Sequence, residues 1–227
     1  MVPLKLPQDP AAPLKLLCLG AHADDIEIGC GGTLLQLLST RSNVQVVWVV
    51  FSSAGAREDE ARAGASLFLG RAAQQSVSPM KFRDGFFPYQ GERIKECFEE
   101  LKKDACPDPD LIFTHYREDR HQDHRFISDL TWNTWRRNLI LEYEIPKYDG
   151  DLGHPNLFVP LAKETCERKI GHILDAFHTE SKKAWMSDDT FWATLRLRGV
   201  ECAAREGYAE AFHCRKLTLD TRDTGSG

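Results

Sequence analysis

Residues 14–34 read LKLLCLGAHADDIEIGCGGTL, and the reading of this stretch decides the fold. Leu14 to Ala21 is a nearly continuous apolar run, interrupted by Lys15 and ending in small residues, the pattern of a strand buried on both faces. A histidine, two adjacent aspartates and three glycines follow, and then leucines at helical spacing. A strand covered on both faces that leads into a helix belongs to a parallel sheet, because parallel strands need crossover helices and those helices cover the faces.

The same unit repeats outward from this stretch. VQVVWVVFSS (44–53) reads as a second buried strand, and REDEARAGASLFLG (57–70) as a helix with acidic residues in its first turns and glycine at its end. MKFRDG (80–85) is expected to be a short third strand. ERIKECFEELKKDA (92–105) places Ile94, Phe98 and Leu101 on one side of a helix that PDPD (107–110) stops. DLIFTH (110–115) is the fourth apolar run, and RHQDHRFISDLTWNTWRR (120–137) is helical after it. The later third is less regular: NLILEYEIP (138–146) and NLFVP (156–160) read as strands around the loop KYDGDLGH. Helices over 162–178 and 188–205 and a last strand in AEAFHCRKL (209–217) follow. The expectation is an α/β fold: a Rossmann-like, mainly parallel sheet with helices on both faces and an elaborated C-terminal half. No repeat or linker divides the chain, so residues 1–227 are expected to form one domain, with 1–13 an extension and 220–227 a disordered tail.

Composition narrows the partners. The 29 basic and 34 acidic residues are mixed along the chain, net −5, with no basic stripe and no aromatic-basic interleaving, which disfavours nucleic acid and anionic membranes. The apolar runs fall well short of the ~20 residues of a membrane span, and the proline-broken start shows no signal-peptide pattern, so a cytoplasmic setting is expected. Seven cysteines, an odd number without C-x-x-C spacing, read as reduced packing thiols.

The chemistry-bearing residues gather after the first and fourth strands, where open α/β sheets hold their ligands. His22, Asp24 and Asp25 follow the first; His115, Glu118, Asp119, His121, Asp123 and His124 follow the fourth. Either cluster alone is readable as a helix cap or a solvated first turn. Together at one sheet edge they suit a catalytic metal, which needs about three N or O ligands and an open position. His22 and Asp25, at i and i+3, can converge on one ion, and His124 can close the set. Asp24 is then a spare carboxylate placed to be the general base. His121 is expected off the metal, stabilising the oxyanion or handing a proton to the leaving group, with Asp123 orienting one of the two imidazoles of the HQDH run. Gly29, Gly31 and Gly32 are expected to let the backbone crowd the site. A dinucleotide fingerprint fails, since G-x-G-x-x-G is missing from the turn and carboxylates there repel phosphate.

With AHADD at Ala21 to Asp25 and HQDH at His121 to His124, the chain resembles the LmbE-like deacetylases of the PIG-L superfamily, zinc-dependent enzymes that hydrolyse an acetamide on an amino sugar. REDEARAGASLFLG, NLFVP with ERKIGHILDAFHTES (167–181), and YAEAF (208–212) extend the resemblance over most of residues 14–217. It implies zinc ligands at His22, Asp25 and His124, the base at Asp24, and an assisting His121 supported by Asp123. Ala23 replaces the family's usual proline. Ile26 stands where many members have Glu, with Glu27 one place later, a variant similar to bacillithiol-pathway deacetylases. SSAGAR (52–57) replaces the usual Thr-Arg-Gly-Glu, so Arg57 either takes the substrate-holding role from a shifted position or pairs on the surface with Glu60. His154 and Arg198 are further substrate-binding candidates and Tyr148 a rim candidate, whereas His172, His178 and His213 read as structural or exposed. The implied activity is hydrolysis of an N-acetyl or N-acyl group on a sugar or glycoconjugate, with Zn2+, or Fe2+, which accepts the same donors. A thiol-conjugate amidase and a non-catalytic metal-binding protein are the alternatives, and a homo-oligomer is left open.

Overall fold

Alternation along the first strand builds two cores. Leu14, Leu16 and Cys18 pack with Ile26, Leu34, Phe68 and Phe177, whereas Leu17, Leu19 and Ala21 pack with Phe87, Ile94, Phe98 and Ile127. Successive side chains of a strand point to opposite faces, so this unbroken apolar run has helices on both sides. The computed structural model describes residues 3, 4, 6 and 9–218; the tail expected over 220–227 lies outside them.

The strands are β1 (Leu14–His22), β2 (Val44–Ser52), β3 (Gln74–Pro79), β4 (Leu111–His115), β5 (Leu139–Tyr143), β6 (Leu157–Leu161) and β7 (Tyr208–Cys214). They form one seven-stranded sheet in the order β3-β2-β1-β4-β5-β7-β6. The five strands from β3 to β5 are parallel, and β7 runs antiparallel to both of its neighbours. The helices are α1 (Asp25–Thr40), α2 (Ala56–Leu69), α3 (Gly91–Glu100), α4 (Gln122–Thr134), α5 (Lys163–Ala176) and α6 (Asp188–Glu201). This is the α/β architecture expected. No helix among the described residues is long and apolar enough to cross a membrane.

Two local expectations are corrected. The third strand is QQSVSP (74–79), not MKFRDG: β3 is an edge strand with half-exposed or exposed residues, so it carries no apolar run to read. Residues 80–85 continue along β2 through Met80 N–H to Val50 O (2.7 Å) and a single bridge at Lys81, then turn toward the sheet's carboxyl edge. The strands expected in 138–146 and 156–160 are present as β5 and β6, with β7 lying between them. The glycines serve packing within α1 instead of crowding the site. A Cβ on Gly29 would stand 2.2 Å from the Tyr143 ring, and one on Gly31 2.4 Å from Phe68. Gly32 and Thr33 donate their N–H groups to the buried Glu210 of β7, which Lys169 of α5 also holds, at 2.6 Å.

Chain order places the site. From β1 the chain winds outward to β2 and β3, then returns to β4 on β1's other side, so the carboxyl ends of β1 and β4 flank a topological switch point. His22 ends β1 and His115 ends β4.

Candidate metal centre

The turn from β1 into α1 is tight. Asp24 adopts φ 107°, ψ −28°, a left-handed conformation that costs about 1–3 kcal/mol for a residue with a Cβ and that clusters at functional sites. Its side chain makes no capping hydrogen bond, which removes the helix-cap reading. Asp25 instead secures the turn, its Oδ2 accepting the His22 N–H at 2.6 Å. This leaves Asp24 buried but lining a cleft, together with His22, Asp25, Asp84, His121, His124 and Arg57.

Three donor groups meet at the floor of this cleft. His22 Nδ1 lies 3.2 Å from His124 Nε2 and 3.5 Å from Asp25 Oδ2, and His124 Nε2 lies 3.5 Å from Asp25 Oδ1. Ligands at ~2.0–2.1 Å from a zinc-sized ion stand about 3.3–3.4 Å apart, and these three edges, which end on both oxygens of Asp25, come close to that spacing. Among the described residues, the donor sets whose atoms all lie within 4.8 Å of one another are His22 with His121 and His124, Asp25 with His115 and His124, and His22 with Asp84 and Asp123.

The surroundings aim these donors. His124 Nδ1 donates to Asp119 Oδ2 at 2.9 Å, so its Nε2 carries the lone pair facing the triangle. Burial, with the charge of His115, pushes the His124 imidazole down to about 4, which keeps it neutral and fit to ligate. Burial alone would raise Asp25, but the imidazoles of His124 and His115 outweigh it and hold the carboxyl well below the usual range. Asp24 is pushed well above that range by burial and the charge of Asp25, with Arg57 opposing, and so has the higher proton affinity of the pair. His121 is lowered by burial and by His22. Its ring centroid lies 4.9 Å from that of His22 and 4.7 Å from that of His124, and its Nδ1 has no partner.

Asp123 supports a different histidine from the one expected. Its Oδ2 lies 3.4 Å from His22 Nε2, while its oxygens accept the N–H groups of Gly85 (2.7 Å) and Phe87 (3.1 Å). These bonds tie the start of α4 to the 84–87 loop. Arg57 reaches the cleft and does not pair with Glu60, whose carboxylate instead holds Thr179. Its guanidinium donates to Glu180 and to Ala23 O (2.5 Å), with Asp24 Oδ2 at 3.6 Å.

Two expected substrate-binding residues stand elsewhere. Arg198 is buried in α6, forked onto Glu144 at 3.0 and 2.9 Å, with Glu201 and Gly153 O taking its remaining donors. His154 is exposed and outside the cleft lining, because Gly153 is tied to Glu144 and packs against Tyr116 and His213. Tyr148 does stand at the rim.

Sequence reasoning assigned no role to Asp119, Asp84, His115 or Glu180. Asp119 had a readable signal, since Asp at two places before His121 forms an Asx-type bond to its N–H, at 2.7 Å. Asp84, 3.0 Å from His22 Nε2, arrives by way of the unrecognised edge strand. His115 stacks under His124 with centroids 4.0 Å apart, and its Nε2 accepts the Ala21 N–H at 2.9 Å.

The PIG-L family, described as GlcNAc-PI de-N-acetylase, matches residues 17–135, which contain both histidine-aspartate clusters. An uncharacterized deacetylase of Escherichia coli (strain K12), YaiS, is 30% identical over 140 residues, covering 58% of this chain and 74% of that protein. Diacetylchitobiose deacetylase of Thermococcus kodakarensis is 30% identical over 124 residues, 47% of this chain; the match spans 45% of that enzyme's length. The fold is also that of GalB, the 4-carboxy-2-hydroxymuconate hydratase of Pseudomonas putida KT2440, with TM-score 0.70 at 15% identity over 92% of this chain and 100% of that one. The match over more than half of the chain, and over nearly three quarters of a relative, makes this protein a member of the PIG-L family of LmbE-like de-N-acetylases.

Proposed function

We propose that the protein is a metal-dependent hydrolase that removes the N-acetyl group of an amino sugar or sugar conjugate. The observation that carries this reading is the triangle of His22 Nδ1, Asp25 and His124 Nε2 with a spare, proton-avid carboxyl beside it at Asp24. A structural metal site has no use for that second carboxylate, which favours the enzyme over a non-catalytic binding protein.

His22, Asp25 and His124 would hold the ion, zinc being the best match to two imidazoles and a carboxylate. When bound, such an ion polarises the scissile carbonyl and makes water more acidic. Asp24 takes the proton of the attacking water as the C–O bond forms. Arg57, fixed by Glu180 and Ala23 O, stands over Asp24 and limits how far its proton affinity rises. His121, whose imidazole lines the cleft beside His22 and His124, donates to the developing oxyanion and supports proton delivery to the nitrogen as the C–N bond breaks. Asp123 and Asp84 steady His22, and Asp119 steadies His124. Amine and acetate leave.

The test couples acetate release from N-acetylated sugars to metal analysis of the same sample. His22→Ala, Asp25→Ala and His124→Ala should each lose metal and activity together, whereas His121→Ala should keep its metal and lose turnover. Stoichiometric zinc in all three ligand variants overturns the ligand set.

A further inference from the structure

Behind His124, two carboxylates share one ammonium. Lys147 stands in the segment after β5, and its Nζ lies 3.0 Å from Asp119 Oδ2 and 2.7 and 2.6 Å from the two oxygens of Asp151. Its three N–H groups thus have three carboxylate oxygens, which leaves none for a substrate although the residue lines the cleft. Only 9% of the Lys147 side chain is exposed, with 2% of Asp119 and 6% of Asp151, so solvent and salt screen these charges little. Gly150, at φ 60°, turns the segment so that Lys147 and Asp151 meet, and Asp151 Oδ2 accepts the Arg120 N–H at 2.6 Å, which fastens the segment to the turn before α4.

Asp119 Oδ2 is also the oxygen that accepts His124 Nδ1–H, at 2.9 Å. Two donors therefore draw on one oxygen, and one of them carries a full charge. A carboxylate behind a ligating imidazole raises its basicity. An ammonium on the same oxygen takes part of that effect back, and Asp151 in turn takes part of the ammonium. Asp151, Lys147 and Asp119 alternate in sign, so a change at either of the first two reaches His124 with a defined direction.

We propose that Lys147 is a positioning residue that sets how tightly the triangle holds its ion: drawing on Asp119 Oδ2, it weakens His124 as a donor, and Asp151 sets how strongly it draws. This rests on the metal-dependent reading above and adds to it the residue that tunes one ligand. A weaker imidazole donor leaves a bound ion with more of its positive charge for the carbonyl it polarises. A purely structural strap behaves differently. Lys147 and Asp151 hold the same segment to the turn before α4, so as a strap the loss of either loosens Asp119 and lowers metal affinity alike. The charge alternation instead gives the two residues opposite effects.

The experiment measures zinc affinity of the full-length protein by competition with a chromophoric chelator, with circular dichroism and thermal melts as the control for folding. Lys147→Met and Lys147→Gln should each tighten zinc binding at least about threefold. Asp151→Asn keeps its size and an oxygen for the Arg120 N–H, and it should weaken zinc binding by at least about threefold, because Lys147 then leans on Asp119 alone. In an Asp119→Asn background, Lys147→Gln should change the affinity less than about twofold, since the oxygen that connects it to His124 is gone. Glutamine keeps donors for a carboxylate, so that variant decides the matter where Lys147→Met does not fold. A smaller gain or a loss of affinity in folded Lys147→Gln overturns the proposal, as does unchanged or tighter binding by Asp151→Asn, or the same gain from Lys147→Gln with and without Asp119. Wild-type protein that takes up no zinc overturns the metal-dependent reading itself, and the role of Lys147 falls with it; zinc uptake by the wild type with affinities that do not move in opposite directions refutes the role of Lys147 alone.

Discussion

Replacing Asp119 with asparagine removes one charge and almost no volume, and its effect on metal binding follows from counting donors. Asp119 serves three: Oδ1 accepts the His121 N–H at 2.7 Å, and Oδ2 accepts His124 Nδ1–H at 2.9 Å and Lys147 Nζ at 3.0 Å. An amide has one acceptor oxygen. With that oxygen kept on the His121 N–H, the NH2 group confronts two donors, and His124 relieves the clash by moving its proton from Nδ1 to Nε2. That proton then occupies the lone pair facing Asp25 and His22. Loss of such an orienting partner lowers metal affinity about 10–100-fold, which is about 1.4–2.8 kcal/mol at 1.4 kcal/mol per tenfold. Zinc affinity measured by competition with a chromophoric chelator, with circular dichroism as the control for folding, reads this directly. An Asp119→Asn protein that binds zinc within twofold of the wild type refutes the tautomer argument.

Three other outcomes are expected. Asp24→Asn should fold, keep its metal and lose about 10²–10⁴-fold in kcat, the range for a general base; near-normal turnover in a zinc-replete sample removes Asp24 from the chemistry and leaves His121 as the base. Arg198→Met leaves Glu144 buried without its charged partner and should cost about 3–5 kcal/mol of stability, read by denaturant melts, with KM near wild type; a raised KM at unchanged stability returns Arg198 to substrate binding. Burial pushes the Cys106 and Cys166 thiols up to about 11 and about 12, so both should resist iodoacetamide at pH 8 in the folded protein. By linkage, the stability these raised thiols lend is whole below their ordinary value near 9 and is lost as pH climbs through 11 and 12; rapid labelling of either at pH 8 in the native state contradicts the burial argument.

The sheet was legible where strands are buried on both faces and illegible where they are not. β1, β2 and β4 announce themselves because helices cover both sides, so every residue of the run is selected for apolarity. β3 has one neighbour and an exposed outer edge, so QQSVSP folds as a strand through its backbone pairing to β2 while its side chains answer to water. The same cause hid Asp84, whose position follows from where that edge strand ends.

For the site, local adjacency was enough to nominate His22, Asp24, Asp25, His121 and His124, because a strand end and a helix start within a few residues of each other fix which side chains share an edge. It was not enough to assign partners. Asp123 and Asp119 flank His124 by one and five places, and chain distance suggests the nearer one supports the HQDH imidazoles. In the fold Asp123, one helical step of about 100° from His124, turns to His22, and Asp119, in the turn before α4, takes His124. Arg57 and Arg198 looked alike as candidates, each a cation in a helical segment. Only the packing of other elements separates them: α6 sets Arg198 against the buried Glu144 of the segment after β5, where every donor is consumed, while Glu180, 123 residues along the chain, holds Arg57 at the cleft over Asp24. Sequence alone determined which groups stand at the sheet's carboxyl edge, because periodicity and adjacency are local properties. Which of those groups face one another was decided by the tertiary structure, because a side chain's partner is set by the residues that pairing and packing bring from elsewhere in the chain.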